Sequence, residues 1–260
     1  MQLHFHKYQG TGNDFIMIDN RQHFFIPDKN RIAQLCHRRF GIGADGLILL
    51  ENTKEADFLM RYYNADGSEG SMCGNGGRCT VQFAADLKII KQKTTFMAID
   101  GLHEAFIEKG LVKLKMKDVE GIEKDPQNAY FLDTGSPHYV AFVENLDSFD
   151  VYQEGKKIRY NDRFQEKGTN VNFVEKINQE TIYVRTYERG VEDETYSCGT
   201  GVTAAAIVFS TLEKKKQIQI QTKGGNLSVS FEQIGNDTFQ QIYLVGLAKK
   251  VFEGSLNIKD

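Results

Sequence analysis

One short pattern occurs twice in this chain: Cys-Gly-x-Gly followed by a run of small and apolar residues. The first copy begins at Cys73 and the second at Cys198, 125 positions later. The run after Cys198 is apolar on almost every face, which predicts a buried helix rather than a surface helix. A cysteine at a helix N-terminus lies beside free amide groups and the positive end of the helix dipole, which favour a thiolate and attract anions. The pattern therefore predicts two cysteines in matching chemical environments.

Further segments recur at nearly the same spacing, which indicates duplication of a larger unit. The offsets are 123 to 125 residues, and the pairs are Thr11-Gly12-Asn13 with Thr134-Gly135-Ser136, Gly43-Ala44-Asp45 with Gly168-Thr169-Asn170, and Arg61-Tyr62-Tyr63-Asn64 with Arg185-Thr186-Tyr187-Glu188. Matches in one order at almost one offset predict two domains related by pseudo-twofold symmetry. We expect residues 1–118 to form the first repeat and 119–246 the second, with a C-terminal strand at about 247–260 returning to the first.

Composition fits this division and narrows the functional classes. The 260 residues suffice for two domains of about 120 residues, each large enough for its own core. Net charge is −3 with both signs interspersed, which gives no sign of a nucleic-acid or membrane surface. The sequence shows no signal peptide and no membrane-spanning run.

The local pattern predicts abundant β-structure, because Val, Ile, Phe and Tyr positions alternate with Gly and Asn turns. Each half follows one plan of strand, loop, strand, helix, strand, strand, cysteine and helix. The second half includes a predicted helical segment at Leu146–Glu154. The polar stretch Asp118–Gln127 has no clear pattern and marks the domain boundary. We therefore predict an α/β (α+β) fold in which each domain wraps a sheet around its cysteine-headed helix.

The chain has four cysteines, Cys36, Cys73, Cys79 and Cys198, and no Cys-x-x-Cys pair. This usage predicts reduced thiols in the cytoplasm. No Cys and His pairs have the spacing of a structural zinc site, so we expect no metal. Most cysteines are small buried hydrophobic residues, which is the expected role of Cys36 and Cys79. The duplicated glycine-rich frame sets Cys73 and Cys198 apart from them.

Two thiols on opposite sides of a small molecule suit the inversion of a carbon that bears a proton. One thiolate removes the proton from one face, and the opposite thiol delivers a proton to the other face. Helix-terminal amides aimed at a substrate carboxylate would stabilise the carbanion. Thiols this close could also form a disulfide in an empty site, provided that their Cα atoms come within about 7 Å.

Five motifs resemble those of the diaminopimelate epimerase family: Gly12-Asn13-Asp14-Phe15, Asn64-Ala65-Asp66-Gly67-Ser68-Glu69, Cys73-Gly74-Asn75-Gly76, Glu188-Arg189-Gly190 and Cys198-Gly199-Thr200-Gly201. The resemblance covers essentially the whole chain. It implies a two-base interconversion of LL- and meso-2,6-diaminopimelate, in lysine and peptidoglycan-precursor biosynthesis, without cofactor or metal. It also implies two pseudo-symmetric domains with mixed, largely antiparallel sheets, and a homodimer.

Carried over by position, the resemblance implies that Cys73 and Cys198 are the catalytic bases and that His138 and Glu188 adjust the proton affinity of a cysteine. The implied substrate ligands are Asn13, Asn64, Gly74, Asn75, Ser136, Asn170, Glu188, Arg189, Gly199 and Thr200. Charge agrees for Glu188 and Arg189, because a guanidinium grips a carboxylate in a bidentate manner and a carboxylate takes an ammonium.

The sequence departs from the family pattern at three places. Ser136 stands where many members have Asn, which leaves a shorter ligand. Gly46 stands where some members have Gln, so no side chain is expected to recognise substrate there. The loop Gly190–Thr195 is one residue longer than usual.

Three other readings stay open from the sequence. A proline or hydroxyproline racemase would use the same cysteine pair on a substrate with one carboxylate. The phenazine-biosynthesis-like isomerases share the fold but lack the cysteine pair. A non-enzymatic redox or binding protein would oxidise its cysteines without exchanging a substrate proton.

Overall fold

A computed structural model describes residues 2–126 and 128–258 of the chain. The chain divides into two compact units, the first comprising Met1–Leu114 with Leu247–Asp260 and the second Lys115–Gly246. Gln127 of the polar stretch, Met1, and the last two positions of the expected C-terminal strand, Lys259 and Asp260, lie outside the described residues.

The first unit begins with strands and contains two helices. Its elements in chain order are β1 (Gln2–Gly10), β2 (Asn13–Asp19), α1 (Lys29–Cys36), β3 (Gly46–Glu51), β4 (Phe58–Asn64), α2 (Gly74–Asp86), β5 (Lys93–Ala98), β6 (Gly101–Glu108) and β7 (Leu111–Lys115). Strand β1 pairs antiparallel with β2, β2 pairs parallel with β3, and β3 pairs antiparallel with β4. Strand β4 then pairs parallel with β5, and β5, β6 and β7 follow as antiparallel neighbours.

The second unit repeats this succession. Its elements are β8 (Val119–Glu120), β9 (Glu123–Lys124), β10 (Tyr130–Asp133), β11 (Pro137–Phe142), a 3₁₀ turn (Leu146–Ser148), α3 (Val151–Arg159), β12 (Asn170–Lys176), β13 (Thr181–Glu188), β14 (Asp193–Thr195), α4 (Gly199–Glu213), β15 (Gln217–Thr222), β16 (Gly225–Gln233) and β17 (Thr238–Gly246). Parallel pairs β11–β12 and β13–β15 alternate with antiparallel pairs β10–β11, β12–β13, β15–β16 and β16–β17. The final strand, β18 (Lys249–Asn257), pairs antiparallel with β1 of the first unit.

Each sheet surrounds one helix, as the sequence predicts. Helix α2 packs against β1, β2, β3, β4 and β6, and helix α4 packs against strands from β10 to β17. Helix α4 is buried without a break from Gly201 to Ser210, which explains why its sequence is apolar on almost every face. The predicted fold class, with mixed and largely antiparallel sheets around cysteine-headed helices, is confirmed.

Three local predictions differ from the structure. The segment predicted as helix from Leu146 to Glu154 is a 3₁₀ turn followed by α3, because the Asp150 side chain accepts a hydrogen bond from the Gln153 amide and starts the helix there. The polar stretch after Asp118 contains β8 and β9, which pair with β17 and β10. The end of the loop at 190–195 is strand β14, paired with β13.

Candidate active site

The polar residues picked out by the sequence lie at matching ends of matching strands. In the first unit, Asn64 ends β4 and pairs with Gly46 at the start of β3, and Asn13 begins β2 two residues before Phe15, the β2 partner of Gly46. In the second unit, His138 pairs with Asn170 at the start of β12, and Glu188 ends the neighbouring strand β13. Each unit therefore places its candidate residues at the ends of neighbouring strands.

Cys73 is the N-cap of α2. Its Sγ accepts a hydrogen bond from the Gly76 amide at 3.2 Å, so one of the unpaired amides of the first helical turn points at sulfur. A Cβ on Gly76 would lie 3.1 Å from this Sγ, which is tighter than normal packing allows. The glycine of the motif therefore lets the amide approach the thiol, and this arrangement favours the thiolate form.

Asn75 connects the first turn of α2 to the loop between β1 and β2. Its Nδ2 lies 3.4 Å from Asn13 Oδ1, and its Oδ1 accepts hydrogen bonds from Thr11 Oγ1 at 3.2 Å and from the Arg78 guanidinium at 2.9 Å. Asn13 in turn donates to Asp45 Oδ2 at 2.8 Å. The two amide side chains expected to bind substrate are thus held by a continuous hydrogen-bond network.

Arg78 is a residue that the sequence reasoning missed. Its guanidinium is completely buried and donates to Asn75 Oδ1, Thr11 Oγ1 and the Gly74 carbonyl. Its only hydrogen-bond partners within the described chain are neutral oxygens, so this cation is held without a carboxylate. The sequence signal was an arginine inside an otherwise small and apolar helix, directly after the first glycine motif.

Cys198 is the N-cap of α4 and is 7% exposed. Its Sγ lies 3.5 Å from Thr200 Oγ1, and Thr134 Oγ1 donates to the Thr200 carbonyl at 3.0 Å. A Cβ on Gly201 would lie 2.3 Å from Asn172 Oδ1, so only glycine lets α4 approach β12 this closely. The two cysteines therefore share a helix-cap position but differ in exposure and in their hydrogen bonds.

His138, which pairs with Asn170, is buried and neutral. Burial, with a smaller contribution from the Arg189 charge, lowers its pKa to about 3. Asn172 Nδ2 donates to His138 Nδ1 at 3.1 Å and to the Tyr139 carbonyl, while Thr186 Oγ1 donates to Asn172 Oδ1. The Nε2 atom consequently carries the proton, and it has no hydrogen-bond acceptor within the described residues.

Ser136, Asn170 and Arg189 form one cluster in the second unit, and Glu188 precedes Arg189 at the end of β13. Asn170 Nδ2 donates to Ser136 Oγ at 3.0 Å, and its Oδ1 accepts from the Arg189 backbone amide at 2.9 Å. The Arg189 guanidinium donates to the Lys167 carbonyl at 3.0 Å and lies 3.5 Å from Ser136 Oγ. Among the described residues, no carboxylate lies within ion-pair distance of Arg189, and Glu188 Oε2 instead accepts from Thr195 Oγ1 at 2.9 Å. The guanidinium is therefore able to receive an external carboxylate.

The departure at Gly46 has a steric cause. A Cβ at this position would lie 2.5 Å from the Tyr62 ring and 2.6 Å from the Tyr63 carbonyl. The Tyr62 ring thus occupies the space that a larger residue at position 46 would need.

Iodoacetamide at neutral pH is expected to modify Cys73 well before Cys36 and Cys79. Burial raises the pKa of both Cys36 and Cys79 to about 12, so almost none of either thiol is the reactive thiolate. Cys73 is partly exposed and receives an amide hydrogen bond. Peptide mass mapping after brief alkylation measures the order, and modification of Cys36 or Cys79 ahead of Cys73 would contradict this difference.

His138 is expected to make the protein acid-sensitive. Its folded pKa of about 3 lies below the ordinary value of 6.5, so the unfolded chain binds the proton first and stability falls as pH drops below 6.5. The loss is about 2 kcal/mol between pH 6.5 and pH 5. We expect His138→Asn, which retains an acceptor for Asn172, to reduce this slope in urea-unfolding measurements. Equal slopes for both proteins would contradict the buried neutral state.

Comparison with known proteins assigns the chain to a family. The sequence model described as "Diaminopimelate epimerase" matches residues 5–121 and 130–251. A protein named diaminopimelate epimerase from Flavobacterium psychrophilum is 56% identical over 96% of this chain and 99% of its own length. The chain belongs to the diaminopimelate epimerase family. A relative of the same name from Chlorobaculum tepidum is 44% identical over 96% of the chain and 99% of its own length.

Solved structures with low sequence identity share the fold of this family member. A phenazine biosynthesis protein of the PhzF family from Bacillus anthracis superposes with a TM-score of 0.76 at 15% identity, covering 99% of this chain and 100% of its own. A probable proline racemase from Agrobacterium radiobacter K84 gives a TM-score of 0.69 at 12% identity, covering 99% of this chain and 93% of its own. At these identities the likeness shows the fold alone. The helices of the described residues are all too short or too polar to cross a membrane.

The fold also brings together three side chains of types that ligate metal ions. Two histidines of β1, His4 and His6, lie with Glu253 of β18, and one ligand atom of each falls within 4.8 Å of the others. Sequence spacing could not reveal this group, because the glutamate reaches the histidines only through the pairing of the first and last strands.

Proposed function

We propose that this protein interconverts LL-2,6-diaminopimelate and meso-2,6-diaminopimelate in lysine and peptidoglycan-precursor biosynthesis. The observation that carries the proposal is the pair of cysteine N-caps, Cys73 on α2 and Cys198 on α4, in matching elements of a chain from this family. Helix N-termini are suited to thiolate chemistry because their free amides and dipole favour the thiolate form, whereas packing alone would not require glycines after both cysteines.

The reaction requires two bases on opposite faces of one α-carbon. In one direction a cysteine thiolate takes the α-proton and becomes a thiol, while the other cysteine gives its proton to the opposite face and becomes a thiolate. The electron pair of the broken C–H bond resides on the carbanion until the second proton arrives, so no external oxidant or reductant is consumed. The reverse direction exchanges the two roles.

Backbone amides of the first helical turns supply the stabilisation that the carbanion needs. The residues that offer them are Gly74 and Asn75 on α2, and Gly199 and Thr200 on α4. Fixed donors of this kind contribute a factor of roughly 10²–10³ each when they meet developing negative charge. They serve the carboxylate at the reacting end of the substrate in this proposal.

His138 acts on the chemistry as a neutral group. Because its pKa is about 3, it cannot stabilise a Cys198 thiolate as an imidazolium at neutral pH. We assign it a dipolar or hydrogen-bonding role through Nε2–H. Glu188 carries the complementary role of a carboxylate near the substrate ammonium.

The non-reacting end of the substrate needs a second set of ligands. In this proposal Arg189 forms an ion pair with the distal carboxylate of the substrate, and Glu188 forms an ion pair with the distal ammonium. Further amide or hydroxyl groups come from Asn13 and Asn64 in the first unit and from Asn170 and Ser136 in the second. Diaminopimelate has an amino-acid group at each end, which matches this doubled set of polar groups.

The deciding experiment follows incorporation of solvent deuterium at Cα of LL-diaminopimelate, together with its conversion to the meso isomer. We expect both, without addition of pyridoxal phosphate or metal. A binding or redox protein would show neither. Deuterium incorporation into proline instead of diaminopimelate would assign the chain to the racemases.

The same chemistry needs reduced thiols, and the cytoplasm is the compartment we propose. None of the four cysteines, all of which lie within the described residues, forms a disulfide bond, and Cys36 and Cys79 are buried. Oxidation of the catalytic pair would remove both bases, so a reducing compartment protects activity.

We also propose a homodimer that covers the face of β18 from which Phe252 and Leu256 project, which is opposite to the face of Glu253. This strand is exposed along almost its whole length, and Phe252 and Leu256 are 47% and 37% exposed. Exposed apolar strands of this kind favour association. Light scattering is expected to give a dimer for the wild type and a monomer for Phe252→Asp. The matched variant Phe40→Asp, on a side chain 79% exposed outside β18, should remain dimeric.

A further inference from the structure

His4, His6 and Glu253 form a cluster of three side chains, each of which can ligate a metal ion. Alternate residues of a strand share one face, so His4 and His6 project from the same side of β1. Glu253 lies directly opposite His6 on β18, and Ser255 lies opposite His4. The ligand atoms of the two histidines and the glutamate lie within 4.8 Å of one another, although the residues are far apart in sequence.

The side chains of His6 and Glu253 approach each other closely within this group. His6 Nδ1 lies 3.1 Å from Glu253 Oε2, yet it is buried and makes no hydrogen bond within the described part of the chain. A ring nitrogen of His6 thus faces a carboxylate oxygen at short range. A cation placed between them would satisfy both lone pairs.

We propose that His4, His6 and Glu253 bind a divalent transition-metal ion of the Zn²⁺ class on the surface of the first unit. Two imidazoles and a carboxylate are a zinc donor set, with Zn–N and Zn–O distances of about 2.0–2.2 Å. Binding requires side-chain rotations that bring these donor atoms, now within 4.8 Å of one another, to the closer spacing of a tetrahedral site. Water fills the remaining position, because His4 and Glu253 are exposed.

Lys250 competes with this ion for the Glu253 carboxylate. Its Nζ donates to Glu253 Oε2 at 2.5 Å and must release the carboxylate when the metal binds. The other nearby carboxylate, Asp19, is already held by the Arg21 guanidinium at 2.7 and 2.8 Å and stays outside the site. The bound ion would join the first and last strands of the chain, so it is expected to stabilise the folded state.

Zinc titration by calorimetry tests the site. We expect one ion per chain for the wild type, and a loss of affinity in His4→Gln, His6→Gln and Glu253→Gln. The loss should be at least the roughly 10–100-fold that removal of a supporting group costs. His103→Gln is the matched control, because His103 pairs with Asp100 at 3.1 Å in the same unit but has no third ligand within the described residues. Unchanged affinity in His4→Gln, which removes an exposed side chain, would overturn the proposal.

Lys250→Gln gives a test with the opposite sign. Removing the competing ammonium should tighten zinc binding by about 1.5- to 5-fold, the range of an exposed ion pair. Weaker or equal binding would show that Glu253 is not a ligand. The melting temperature should rise with zinc in Lys250→Gln and the wild type, but not in His6→Gln.

Cobalt distinguishes this site from the thiols, which also bind soft metals. The Co²⁺ form is expected to lack the thiolate charge-transfer band that ligation by Cys73 or Cys198 would give, and that band would overturn the assignment. Light scattering in the same titration should show no change of mass, since an ion that bridges two copies would be a different site. Epimerase activity of the metal-free His4→Gln protein should equal that of the wild type.

Discussion

Replacing either Cys73 or Cys198 by Ala is expected to stop epimerisation. Inversion needs a proton acceptor on one face of the α-carbon and a proton donor on the other, and each alanine removes one of them. A positioned acid or base contributes roughly 10²–10⁴-fold, so the loss should be at least of this size in kcat for each variant. Conversion of LL- to meso-diaminopimelate measures it. Near wild-type turnover in either variant would show that the two-base assignment is wrong.

Two further measurements separate chemistry from folding. Cys36→Ala is the matched control, because Cys36 is a buried member of the core around Leu35 and Phe25. It should keep its activity while losing about 1 kcal/mol of stability. Each catalytic variant can still exchange the α-proton of one stereoisomer with solvent, since one base remains. Exchange without inversion would therefore identify the surviving face.

The duplicated pattern was sufficient to predict the architecture of both units. Apolar strands bounded by turn residues were readable, as was the central position of α4, because these depend on local composition and burial. The start of α3 was not readable from the sequence. It depends on the hydrogen bond from the Gln153 amide to the Asp150 side chain, inside a mixed polar and apolar segment. Strand β14 was missed because a three-residue strand carries almost no periodic signal.

The candidate site was predictable where it lies in motifs and unpredictable where it depends on long-range pairing. Cys73 and Cys198 stand beside glycines whose function is steric, and this left a readable pattern. Arg78 and Asn172 act through hydrogen bonds to residues on other elements, so their partners could not be identified from local sequence patterns. The same reason hid the cluster of His4, His6 and Glu253. Residues that contact each other only after folding are visible only in the structure.

Arg189 is expected to determine which substrates the enzyme accepts. Its guanidinium donates to a backbone carbonyl and approaches Ser136, and no carboxylate of the described chain neutralises it. Gly168 has a φ of +74°, and a Cβ there would lie 2.6 Å from Arg189 Cδ, so the glycine leaves room for the arginine stem. A distal substrate carboxylate would form an ion pair with this guanidinium, whereas proline has no second carboxylate.

Arg189→Ala should therefore lose most activity while retaining its fold. A substrate carboxylate left without its charged partner in a closed site costs on the order of 2–5 kcal/mol. This corresponds to a fall of roughly 30-fold or more in kcat/KM for LL-diaminopimelate. Arg189→Lys keeps the charge but not the bidentate geometry, so it should recover only part of the loss. Arg163→Ala, which removes an arginine paired with Glu123 and Asp125 in the same unit, should keep full activity.

With the distal L-centre fixed by several contacts, the wild type should convert the LL and meso isomers but neither DD-diaminopimelate nor proline. An unimpaired Arg189→Ala protein, or efficient proline racemisation by the wild type, would place the chain's activity with the racemases instead.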